Sequence, residues 1–107
     1  MANAEILSLA VLEPHGGKDA DTLVLLREFY GMMHKKGYSR DVLYRDDKHP
    51  GRLLHMRIWK SEEKRDEAQN DPDVHRYWKS LAEICVVIRT YERLESLFST
   101  LEGPEGA

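Results

Sequence analysis

The 107-residue sequence predicts an α+β fold of the ferredoxin-like, split-βαβ kind, built on a four-stranded antiparallel sheet. Three observations predict it. The apolar periodicity changes along the chain in the order strand, helix, strand, strand, helix, strand. The run Asp46-Asp47-Lys48-His49-Pro50-Gly51 has turn chemistry throughout and joins the two middle strands as a hairpin. The third strand, Leu53-Leu54-His55-Met56-Arg57-Ile58-Trp59, is two-faced, because successive side chains of a strand point to opposite sides. Leu54, Met56 and Ile58 share one face; Leu53, His55, Arg57 and Trp59 share the other.

The elements follow in order. Glu5 to Leu12 reads as a strand with apolar residues on both faces, ended by Pro14 and the Gly16-Gly17 pair. Asp19 or Asp21 is placed to cap the helix that follows. Its apolar stripe is Thr22, Leu25, Leu26, Phe29, Met32 and Met33, and Gly37 is its natural stop. Ser39 to Arg45 is the second strand and Arg52 to Lys60 the third. Ser61 caps a second helix whose first turn carries Glu62 and Glu63. Asn70-Asp71-Pro72 interrupts that helix, with Asp71 as a new cap and Pro72 at the first helical position. The stripe of the restarted helix is Val74, Trp78, Leu81, Ala82 and Cys85. Val86 to Leu94 is the fourth strand. Residues 1–94 therefore form one domain, and 95–107 a tail with a short helix over Glu95–Leu101 and a loose end.

With both helices on one side of the sheet, the face bearing Leu54, Met56 and Ile58 is bare. A second copy of the sheet is the simplest cover, so a homodimer packed sheet to sheet is expected. Lys and Arg number 16 against 19 Asp and Glu, which leaves a net charge of -3 and no case for a general nucleic-acid binder. No apolar run reaches the ~20 residues needed to span a membrane. No leader-like segment opens the sequence, and Cys85 is its one cysteine, so a cytoplasmic location is the expectation.

The chemistry-bearing residues cluster on the third strand. His55 is a candidate for proton transfer near neutral pH. Arg57 is a candidate to hold an anion by charge-assisted bonds. The plain alternative for both is a cross-strand pair, or a link to Glu63, Asp66 or Glu67. Trp59 and Trp78 are candidate stacking walls for an aromatic substrate, or simply core aromatics. His75 lies beside Trp78 on the helix. His15, His34 and His49 sit in loop or surface contexts, and no spacing of His, Cys or carboxylates supports a metal site. Dinucleotide, Walker and nucleophile-elbow motifs are absent from the sequence.

Three stretches carry a resemblance to a known family: Pro14-His15-Gly16-Gly17-Lys18 before a helix, Gly37-Tyr38 followed by Leu43-Tyr44-Arg45-Asp46, and Ile58-Trp59-Lys60-Ser61-Glu62-Glu63. With Asn70-Asp71-Pro72 and Val74-His75-Arg76-Tyr77-Trp78, they make the sequence resemble the antibiotic biosynthesis monooxygenase (ABM) domains, dimeric α+β barrel proteins, over about Glu5 to Leu94. The resemblance implies a pocket between helices and sheet in each subunit. It also implies oxidation of a quinol-type or other aromatic small molecule by O₂ without a cofactor, or else a non-catalytic binding or accessory role. A haem-degrading branch of the family uses an Asn in the first strand, a Trp ending the third and a His in the second helix. Here only Trp59 matches; the other positions hold Leu9 or Ala10, and Trp78. A quinol-oxidising branch has a His midway through the second helix, where this sequence has Ala68.

Overall fold

In the computed structural model, which describes residues 5–100, the elements are β1 (Ile6–Pro14), α1 (Asp19–Lys35), β2 (Ser39–Arg45), β3 (Leu53–Trp59), α2 (Glu62–Gln69), α3 (Pro72–Ile84) and β4 (Cys85–Glu95). The strands form one antiparallel sheet in the order β2-β3-β1-β4. This is the ferredoxin-like α+β arrangement. The two crossings that carry the helices put α1, α2 and α3 on the same side.

The hairpin sets the register of everything that follows. Asp46 accepts from the backbone N–H of Lys48 at 2.8 Å, and Arg52 N–H donates to the His49 carbonyl at 2.8 Å. That turn places Arg45 opposite Leu53, and therefore Asp41 opposite Arg57 and Ser39 opposite Trp59. On the other side of β3, Ala10 faces His55 and Ser8 faces Arg57. Because a strand repeats every two residues, this register sends His55 and Arg57 to the helix side and leaves Leu54, Met56 and Ile58 on the outer side. The core forms against the helices from Ala10, Leu12, Leu53, Leu26, Phe29, Met33, Val74 and Leu81.

Helix termini mostly follow the sequence signals. Ser61 accepts from Lys64 N–H at 3.1 Å, Asp71 accepts from Asp73 N–H at 2.8 Å, and Gly37 takes the positive φ of +74° that ends α1. Three expectations are corrected. Neither Asp19 nor Asp21 caps α1: the N-cap is Lys18, without a side-chain cap, and Asp19 is drawn across to Arg45 at 3.1 Å. In α3, Ala82 is exposed and Cys85 opens β4 opposite Pro14, so the stripe is Val74, Trp78 and Leu81. The short helix over Glu95–Leu101 is not formed in its described part. Glu95 still pairs with Ile6, and Ser96 N–H donates to the Glu5 carbonyl at 2.9 Å, so the ladder continues where a helix was expected. Leu101 lies outside the described residues.

The outer face of the sheet is apolar along β1 and β3, with Arg40 of β2 and Arg89 of β4 at its sides. Leu7, Leu9 and Val11 of β1 lie beside Ile58, Met56 and Leu54 of β3, and Arg40, Val42 and Tyr44 of β2 continue the rows. Tyr44 is 53% exposed and Val42 is 38% exposed.

Candidate functional site

A cavity of about 360 Å³ lies between the sheet and the helices α2 and α3, within the usual range for small-molecule sites. Its floor is Ser8 and Ala10 of β1 with His55, Arg57 and Trp59 of β3. Trp78 and His75 of α3 and Arg65 of α2 close it from the helix side. The β4 edge is shaped by a bulge between the pairs Leu7/Leu94 and Leu9/Tyr91. Such an extra residue re-aims its neighbours, and here Thr90, Tyr91 and Glu92 reach the lining. A larger groove of about 740 Å³, which shares Trp59 with this cavity, is rimmed by Glu5, Lys60, Glu62, Glu63, Arg93 and Glu95. It holds no buried unpaired group, so we place the site in the smaller cavity.

Arg57 is 2% exposed and among the largest fully buried side chains. Its Nε donates to Asp41 Oδ1 at 2.7 Å and its Nη2 to Oδ2 at 3.4 Å. The Asp41 side chain is 1% exposed, so the pair is desolvated on both sides. The guanidinium also lies 4.4 Å from the Phe29 ring centroid, with Trp59 and Trp78 at 5.7 and 5.9 Å. Of the two plain alternatives for Arg57, the cross-strand pair is the one formed; the partner is Asp41 of β2 rather than an acid of α2.

His55 is 1% exposed. Its Nδ1 is 2.6 Å from the Tyr30 hydroxyl of α1, and its ring meets the Trp78 indole edge-on at 5.8 Å. Its Nε2 is buried and has no partner. Burial first, then the nearby Arg57 charge, pushes the His55 pKa down to about 3, so the imidazole is neutral at pH 7. Tyr30 is pushed up, by burial first and then by Asp41. A neutral imidazole has one N–H and one lone pair. When the Tyr30 O–H donates to Nδ1, the His55 Nε2–H is a buried donor without a partner, on a residue that lines the cavity.

The remaining expected residues divide. Trp59 donates its indole N–H to Ser8 Oγ at 2.8 Å, and Ser8 Oγ donates to the Glu92 carbonyl at 2.6 Å. This chain fixes the indole as a wall at the β4 edge. Trp78 meets Phe29 edge-on at 5.4 Å and serves the core and the cavity together. His75 reaches the rim, but its Nε2 is 2.6 Å from the Gln69 carbonyl and the residue is exposed. That engagement, with Trp78 at the next turn, leaves the haem-branch arrangement unmatched, and no step is derived through haem. Among the described residues no group of three or more His, Cys, Asp or Glu is placed to hold a metal ion.

Tyr30, Asp41, Ser8 and Arg65 belong to the site and were not singled out by sequence. Asp41 had a signal, since a hairpin closing at Arg45 and Leu53 puts it opposite Arg57. Tyr30 had none beyond its neighbourhood to the α1 stripe.

No protein-family model matches the sequence, and comparison with curated proteins finds no match. Comparison with solved structures does find relatives in fold. SnoaB, a cofactor-independent oxygenase from Streptomyces nogalater, superposes in a single-residue variant with a TM-score of 0.79 at 12% identity, over 91% of this chain and 97% of that one. A protein from Nitrosomonas europaea, provisionally named an antibiotic biosynthesis monooxygenase, gives 0.74 at 8% identity, over 92% and 95%. A Bacteroides thetaiotaomicron protein of unknown function, described as a possible oxidoreductase, gives 0.76 at 11% identity, over 89% and 100%. The chain thus shares its fold with ABM-type proteins along nearly its whole described length, as the resemblance in sequence implied.

Proposed function

We propose that this chain, on the fold it shares with cofactor-independent oxygenases, is a monooxygenase for an aromatic, quinol-type small molecule and works as a homodimer. One observation carries the reading: His55, whose Nε2 is buried and unpartnered, lines a cavity walled by Trp59 and Trp78. A buried polar atom without a partner costs ~1–3 kcal/mol, and a ligand oxygen would remove that cost. The outer face of β1 and β3, apolar and continued by the partly exposed Val42 and Tyr44, suits a second copy of the sheet.

The depressed pKa of His55 favours one role for it. A phenol titrates near 10, so moving its proton to an imidazole at about 3 would cost ~10 kcal/mol. His55 is therefore better suited to donate its Nε2–H to an oxygen that is already anionic than to act as the base. Arg57 is neutralised by Asp41 and holds the floor rigid while the two indoles stack the ring. The bound anion gives one electron to O₂, and the resulting radical and superoxide join through a new C–O bond. Breaking the O–O bond then releases water, so that HO–Ar–H and O₂ become O=Ar=O and H₂O.

Oxygen uptake over a panel of polycyclic quinols and naphthols, with ¹⁸O₂ and mass spectrometry, tests this. Wild type should take up O₂ above autoxidation and place one labelled atom in the product. His55→Phe should lose ~10²-fold in turnover, as for removal of one oxyanion donor. No uptake by wild type across the panel would remove the oxygenase reading. Unchanged turnover in His55→Phe would remove His55 from it.

A second reading, a non-catalytic binding or accessory protein, is favoured by one specific feature. Among the described residues, the one cation on the cavity floor, Arg57, is already paired with Asp41. This reading expects ligands to raise the melting temperature without O₂ uptake.

A further inference from the structure

Arg65 is the unexpected member of the cavity lining. The short helix α2 has one fully buried residue, Ala68. Arg65 lies three residues before it, on the same helix face. Ala68 fills little space, and the Arg65 stem takes the rest, so its side chain is only 13% exposed. Arg65 has a poor partner. Its Nη1 is 4.0 Å from Glu62 Oε2, while Arg93 holds the other Glu62 oxygen at 2.6 Å. Its Nε is buried and bonded to nothing. Two residues on the sheet and helix walls of the cavity thus each carry a buried, unpartnered nitrogen: His55 at Nε2 and the charged Arg65 at Nε. Arg57 brings no net charge, because Asp41 offsets it. Glu92, the acid on the lining, is an exposed residue on the β4 edge.

A buried guanidinium without a full partner favours an anion, and its planar fork matches a carboxylate with two parallel bonds. The flat walls given by Trp59 and Trp78 favour an aromatic body.

We infer that the cavity takes an aromatic carboxylate, with the carboxylate on Arg65 and a ring oxygen on His55 Nε2. The inference rests on the reading of this cavity as a small-molecule site and narrows its substrate class to acids. Arg65 binds the substrate at a point away from the reacting ring carbon, so it sets specificity.

The test uses hydroxynaphthoates with the hydroxyl at position 1, 3 or 6, each paired with its neutral amide, and isothermal titration calorimetry on the full chain. At least one acid should bind ~10-fold or more tightly than its amide, the effect of 1.4 kcal/mol. Arg65→Gln should abolish that preference, weakening the acid ~10-fold or more relative to its amide. Arg65→Lys, which keeps the charge but loses the fork, should retain part of it. A preference that survives unchanged in Arg65→Gln would overturn the inference. So would acids and amides binding wild type equally, which leaves the aromatic-site reading intact. If neither acids nor amides bind, the aromatic-site reading fails and the inference fails with it.

Discussion

Two clusters in this protein are built from the same groups and do different work. Inside the protein, a cation (Arg57 of β3), a carboxylate (Asp41 of β2) and a phenol (Tyr30 of α1) gather around His55, with Asp41 bonded to Arg57 and Tyr30 to His55. Where α1 ends and α3 begins, a cation (Lys36), a carboxylate (Asp71) and a phenol (Tyr38) meet at the surface. Lys36 Nζ lies 2.8 Å from Asp71 Oδ2, and the Tyr38 hydroxyl donates to the same oxygen at 2.6 Å. Asp71 also caps α3. The outer cluster is complete: the carboxylate ties two helices together, and its bonds to Lys36 first and Tyr38 next hold its pKa down to about 2. The inner cluster is complete except at one atom, His55 Nε2. Stability needs no such vacancy, and that difference separates the candidate site from the scaffold.

The comparison breaks most sharply at the carboxylates. Asp41→Ala should leave Arg57 buried and unpaired, a loss of ~3–5 kcal/mol measured by urea unfolding. The double variant Asp41→Ala, Arg57→Met should recover much of it, since no charge then stays buried. A double variant as unstable as Asp41→Ala alone would show that the pair's shape matters more than its charge.

The two clusters also differ in where acid reaches them. The folded pKa of His55 lies below the ordinary value of 6.5, so below pH 6.5 the unfolded chain binds a proton that the folded chain refuses. Its contribution is fully present above pH 6.5 and is lost as pH falls toward about 3, at up to ~1.4 kcal/mol per pH unit. Asp71 contributes above 3.8 and is lost only as pH falls toward about 2. Urea midpoints between pH 7 and pH 4 should therefore decline in wild type and decline much less in His55→Gln. Equal slopes would contradict the burial of a neutral imidazole.

The smallest effect is expected at the outer cluster. Asp71→Ala removes a helix cap and the Tyr38 bond and should cost ~1–2 kcal/mol. The loss should leave ligand affinity at the cavity unchanged.

The comparison also marks what the sequence could disclose. Asp71 and Pro72 announce a cap because capping is local, within two or three residues. The alternation of His55, Arg57 and Trp59 gave the inward face of β3 because strand periodicity is local too. Their partners were another matter. Asp41 is fixed by hairpin register, and Tyr30 by the rotation of α1 over the sheet, a tertiary quantity with no local pattern. Arg65 sits in the charged run Lys64-Arg65-Asp66-Glu67, and eight residues with one buried alanine give no amphipathic stripe to read. The end of β4 was misplaced for a similar reason. Glu95 and Ser96 stay extended because Glu5 and Ile6 are there to bond them.

The central claim is that His55 is neutral, held at Nδ1 by Tyr30, and presents Nε2 to a ligand. Long-range ¹H–¹⁵N NMR of the imidazole rings, between pH 7 and pH 4.5 and with and without a hydroxynaphthoate, tests it directly. The account predicts neutral-ring shifts for His55 across that range and a ligand-dependent change concentrated at Nε2. Titration of His55 near pH 6.5, or a ligand that binds without moving Nε2, would contradict it.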